Sequence, residues 1–81
     1  MGNVAITFKI MVEPGKEEEV KNEISKIGAK DIRIEDIGFG IKVIKALFVS
    51  KDEEGTSTRI EEQIRNIKGV NEVNAIDETL I

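Results

Sequence analysis

The side chains able to do chemistry in this chain are carboxylates, lysines, arginines and hydroxyls, because its 81 residues include neither histidine nor cysteine. That removes the commonest metal ligand and the usual general base at neutral pH, together with thiolate nucleophiles and disulfides. Glu17, Glu18 and Glu19 are consecutive. On one helix turn they point in three directions, which suits the positive end of a helix dipole better than a metal ion. Asp52, Glu53 and Glu54 precede a glycine, but a calcium loop needs ligands alternating around a glycine, so the run reads as a solvated loop. Gly38-Phe39-Gly40 leads into a strand, not into the helix N-terminus that a Walker loop or dinucleotide fingerprint offers to phosphate. No catalytic residue, cofactor or metal is expected, and the chain reads as a non-enzyme.

Phe39 raises a different possibility. Glycines flank it, with Ile37 and Ile41 just beyond. The glycines let the backbone bend sharply and leave the ring without shielding neighbours. Two readings stand at this point. The ring is an anchor for another protein, since contact hot spots favour large side chains that desolvate completely, or it folds back beneath the sheet as the last layer of core.

The elements that must position this turn are written in the apolar periodicity. Val4, Ile6, Phe8, Ile10 and Val12 alternate with Ala5, Thr7, Lys9 and Met11, which predicts a strand ended by Pro14-Gly15. Val20, Ile24 and Ile27 form the stripe of an amphipathic helix, with Gly28 as its stop. Ile32 and Ile34 predict a short strand running to about Asp36. Ile41 to Val49 predicts a long one, with Ile44, Ala46 and Phe48 on one face and Val43, Leu47 and Val49 on the other. Such a strand is central or has a second face that meets something. Lys51 to Gly55 reads as a polar loop. Thr58 and Glu61 have capping-box spacing for a second helix carrying Ile60, Ile64 and Ile67, which Gly69 stops. Val70, Val73 and either Ala75 or Ile76 make the last strand, with Asp77 to Ile81 as a short tail.

The order strand, helix, strand, strand, helix, strand predicts one domain, residues 1–81, of the α+β class. It is a ferredoxin-like split βαβ (βαββαβ) with a four-stranded antiparallel sheet and two helices on one face. Other activities of this architecture lack their residues here. A phosphate-cradling acylphosphatase loop needs an arginine where the first strand exits, and Glu13-Pro14-Gly15 has none. Metal chaperones need a Cys-x-x-Cys. Direct nucleic-acid binding is not expected, because the net charge is −4 and three Phe with no Trp or Tyr leave little for stacking. Phe8 and Phe48 read as core. No apolar run approaches the ~20 residues of a bilayer span, and Met1-Gly2-Asn3-Val4 lacks the layout of a secretory signal, so no membrane partner and a cytoplasmic setting are expected. A monomer is expected.

The segment Ile37-Gly38-Phe39-Gly40-Ile41-Lys42 resembles the nucleotide-exchange domain of the elongation factor 1-beta family, in which a Gly-Phe-Gly-Ile-Lys segment opens the third strand. The start Met1-Gly2-Asn3-Val4 with Lys9, Met11 and Pro14, and Ile67-Lys68-Gly69-Val70 with Asp77, are similar to archaeal members, which consist of this domain alone. The resemblance implies a guanine-nucleotide exchange factor for elongation factor 1-alpha, the GTPase that delivers aminoacyl-tRNA. It implies that Phe39 docks into that GTPase, with Gly38 and Gly40 shaping the turn and Lys42, Asp77, Leu80 and Ile81 flanking the contact. Family members also carry a basic side chain near the carboxyl terminus that reaches toward the magnesium site. Here no Lys or Arg follows Lys68, so either Phe39 and the strand ends suffice or Lys42 or Lys9 substitutes. The alternative on the same fold is a ligand-binding or oligomerisation module with a regulatory role, which Val43, Leu47 and Val49 would suit.

Overall fold

A computed structural model describes residues 2–81; Met1, part of the amino-terminal likeness, lies outside the described residues. The elements follow the expected order: β1 (Asn3–Val12), α1 (Glu17–Ile27), β2 (Asp31–Gly38), β3 (Ile41–Lys51), α2 (Thr56–Arg65) and β4 (Val70–Leu80). They build one sheet of order β2-β3-β1-β4, with every neighbouring pair antiparallel. This is the ferredoxin-like arrangement.

Alternation in β1 decides where the core lies. Val4, Ile6, Phe8, Ile10 and Val12 are buried on one face, joined by Ile44, Ala46 and Phe48 of β3 and by Val73 of β4. Val20 and Ile24 of α1 and Ile60 and Ile64 of α2 close over the same face. The Phe8 and Phe48 rings meet edge to face at 5.8 Å, the arrangement that opposes a positive ring edge to a negative ring face. α1 ends where expected. Gly28 takes φ +116 and its N–H reaches the carbonyls of Ile24 and Ser25, satisfying acceptors the helix leaves open.

The second face of β3 carries no further layer. Val43 is nonetheless fully buried there, on the face that also carries Lys45, whose ammonium lies 3.0 Å from the Glu35 carboxylate. Long charged side chains can lay their methylene stems over apolar surface while the heads stay wet. β3 is thus a central strand between β1 and β2, and its second face is lined with charged side chains from neighbouring strands.

Four expectations need correction. The segment from Asp77 is no tail: β4 runs to Leu80, pairing Asp77 with Thr7 and Leu80 with Val4, and Asn3 and Ile81 exchange backbone hydrogen bonds. The start of β1 would otherwise leave backbone donors and acceptors unpaired. Second, Lys51 belongs to β3, paired with Asn3, so the loop begins at Asp52. Third, α2 begins at Thr56 behind Gly55, with no side-chain cap. Thr58 sits inside the first turn, out of capping position, while the Thr56 hydroxyl donates to the Lys51 carbonyl at 3.4 Å. Fourth, α2 ends at Arg65, before Ile67 and Gly69. Ile67 packs against the core from the following turn.

Candidate functional site

The β2–β3 turn is held by its own backbone. Gly38, Phe39 and Gly40 take φ of +102, +55 and +74, three successive left-handed residues. Among the described residues Phe39 is the only non-glycine with positive φ, a conformation that costs an ordinary side chain about 1 kcal/mol. A Cβ on Gly38 or Gly40 would have nothing within 4 Å, so glycine is required there by conformation alone. The N–H of Gly38 donates to Asp36 Oδ1 at 2.8 Å, a side-chain-to-backbone bond that pins the entry to the turn.

The ring is displayed in full. Phe39 is 103% exposed, with Ile37 at 51% and Ile41 at 44% beside it in sequence. The reading in which the ring folds back beneath the sheet as core is excluded. Burying an aromatic of this size on contact is worth roughly 1.5–3 kcal/mol, the largest single apolar contribution the surface offers a partner. Lys42, exposed, is the cross-strand partner of Asp36 and so belongs to this end of the sheet.

The other candidates lie elsewhere. Leu80 is level with Val4 and Ser50 across the sheet, and Phe39 precedes Ile41 at the far end of β3. Nine residues of strand, at about 3.3 Å each, put roughly 30 Å between them, in a molecule 42 Å long. The structure does not bring Asp77, Leu80 and Ile81 to the turn: β4 runs antiparallel to β1 and carries them toward the opposite end of the sheet. Leu80 and Ile81 are exposed at that opposite end, and Ile76 is exposed at the mid-strand bulge of β4. Lys9 sits mid-sheet opposite Lys45, also away from the ring. Asp36 was missed in the sequence, although an Asp two residues before a turn glycine is a legible signal.

Residues 6–79 match the EF-1 guanine nucleotide exchange domain. Proteins named elongation factor 1-beta are similar over whole lengths: that of Methanoculleus marisnigri is 37% identical, that of Methanospirillum hungatei 36% and that of Thermoplasma acidophilum 35%, each with all of both chains covered. The chain belongs to the EF-1 guanine nucleotide exchange domain family, and these relatives are archaeal elongation factors. Among solved structures, the ACT domain from a GTP pyrophosphokinase of Chlorobium tepidum superimposes with a TM-score of 0.64 over 91% of this chain and 99% of that one. At 17% identity that likeness shows the fold alone.

Proposed function

We propose that this protein promotes release of GDP from the GTPase elongation factor 1-alpha during translation elongation, acting by protein–protein contact without covalent chemistry. Family membership supports the activity, and the observation that carries the site is a fully exposed Phe39 held at φ +55 between two left-handed glycines. A strained, water-exposed aromatic gains nothing for the isolated fold, and such outliers cluster at functional positions.

Exchange is a problem of linked equilibria. A factor that binds the nucleotide-free GTPase more tightly than the GDP-bound form lowers the affinity for GDP by the same ratio. Docking the Phe39 ring into a pocket present only in the open state would supply such a difference. At roughly 1.5–3 kcal/mol, the ring alone is worth about a ten- to hundredfold shift. Gly38 and Gly40 set the approach of the ring, and Lys42 adds a cation at the same end.

The test is release of a fluorescent GDP from elongation factor 1-alpha. The parent protein accelerates it, and Phe39→Ala, with the fold intact by circular dichroism, loses about tenfold or more at subsaturating factor. Equal acceleration by the two proteins removes Phe39 from the contact.

A further inference from the structure

Apolar exposure at the Phe39 end of the sheet does not stop at the ring. Ile37, Phe39 and Ile41 are all exposed within one short stretch of chain, whereas exposed apolar side chains that need no partner are ordinarily scattered singly. Strand parity fixes where Ile41 looks. Ile44 and Ala46 of β3 face the helix-side core, so Ile41, Val43 and Lys45 share the uncovered face. The cross-strand partner of Ile41 on β2 is Gly38, which has no side chain to cover it. On the other side, the pairing of β1 with β3 ends at Met11 and Val43, one step short of Ile41. Ile41 is therefore left open on both flanks, at 44% exposure.

Met11 extends the same surface onto β1. It alternates with Ile10 and Val12 of the core, is half-buried, lies directly opposite Val43 and is diagonal to Ile41. Diagonal cross-strand neighbours are about 7–8 Å apart, within reach of a long side chain. Val43, between them, is fully buried and lies outside the helix-side cluster, so it floors a small apolar layer of its own. Glu35 borders this level on β2 and Glu72 borders it on β4, while Lys9 and Lys45 stand two residues further along their strands. The result is an apolar strip two strands wide with a charged border, the core-and-rim plan of protein contact surfaces. It starts at the Phe39 turn.

We propose that Ile41 and Met11 continue the Phe39 contact onto the uncovered sheet face, where they meet apolar side chains of the partner GTPase. The identity of that partner rests on the exchange reading above. Continuity argues for this occupant. A pocket that encloses the Phe39 ring has walls, and two residues of chain span at most about 7 Å, so a wall on the strand side falls on Ile41. Charged groups of a partner would lose hydration against the strip without gaining a bond there, which favours apolar ones. Met11 is unbranched and polarizable, and so adapts to the shape it meets. One ring in one pocket fixes a point and leaves rotation about it free. A strip that crosses two strands also fixes the direction of approach, from the uncovered face and away from the helices.

The test combines GDP-release kinetics with methyl NMR on the full, isotopically labelled chain. Ile41→Thr keeps a β-branched side chain in the strand and should raise the half-saturating concentration about three- to tenfold. Met11→Gln should raise it about two- to fivefold, with both folds intact by circular dichroism. Added salt should leave these ratios unchanged, because apolar contacts are not screened. In the parent, the Ile41 and Met11 methyls should shift when nucleotide-free elongation factor 1-alpha is added. A parent that accelerates release while both variants match it, or while those methyls stay silent, overturns this proposal and leaves the exchange reading standing. Methyl shifts confined to Leu80 and Ile81 overturn it too. So do Ile41 and Met11 shifts that grow with the concentration of the free protein, the sign of a second copy on the strip. A parent that fails to accelerate release defeats the exchange reading, and the methyl titration still decides whether the strip meets the GTPase.

Discussion

The Asp36 carboxylate accepts the backbone N–H of Gly38 at 2.8 Å, one residue before the exposed ring of Phe39. This bond joins the regular part of β2 to a turn whose next two residues are also left-handed. Because it is exposed, it contributes little to global stability. Its effect is to narrow the directions in which the ring can point, and ordering a contact side chain beforehand lowers the entropy lost on binding.

Asp36→Ala should therefore separate stability from activity. Denaturation should show a loss of about 1 kcal/mol or less, the usual net worth of one such bond. GDP release catalysed by the variant should fall about three- to tenfold, with Asp36→Asn retaining most of the activity through its amide oxygen. An Asp36→Ala protein as active as the parent would mean that the turn is ordered without the carboxylate.

Replacing the ring with a residue that tolerates left-handed backbone should stabilise the free protein. Phe39 makes no buried contact and pays a conformational penalty. Phe39→Asn should recover about 0.5–1 kcal/mol, raising the thermal midpoint by about 2–8 °C for a domain of this size. Exchange should be lost at the same time. A midpoint that falls instead would show that the ring packs on the folded chain in solution.

The same truncation applied to the other aromatics should have the opposite signature. Phe8 is fully buried against Phe48, so Phe8→Ala leaves a cavity and should cost about 3–5 kcal/mol. An 81-residue domain has about 4–12 kcal/mol in all. The variant should melt early or fail to fold, whereas Phe39→Ala should melt with the parent. Calorimetry on the pair checks both statements.

The contrast between these rings shows what the sequence carried. Strict alternation from Val4 to Val12 specified β1 and its inward face, and the apolar stripes specified both helices, because burial follows a period that the order of residues displays. β4 was harder. A bulge sets Ala75 opposite Phe8 but Asp77 opposite Thr7, so one extra residue, Ile76, breaks the parity that a reader would follow. Asp77, Glu78 and Thr79 then look like solvent-exposed tail, yet an edge strand beyond the helices can be polar on both faces and still pair through its backbone. The candidate turn was visible as a Phe between glycines, while its exposure and left-handed φ depend on backbone geometry.

Gly69 differs in role from the turn glycines. It lies beyond α2, with φ +100, and its carbonyl accepts the N–H of Glu13 at 2.8 Å. A Cβ there would stand 3.2 Å from Lys16 Cβ and 3.3 Å from Val20 Cγ2. Val20 is fully buried in the core face of α1, so that neighbour has little freedom to yield. Gly40 at φ +74 has open space around it. Gly40→Ala should then cost only the conformational term, about 1 kcal/mol. Gly69→Ala adds a steric term of about 1–3 kcal/mol to the same penalty by forcing α1 away from the sheet. Urea denaturation of the two variants should rank them in that order, and the exchange assay should rank them in reverse, with Gly40→Ala the more damaging because it redirects the ring. Equal losses of stability would show that α1 shifts to accept the methyl group without strain.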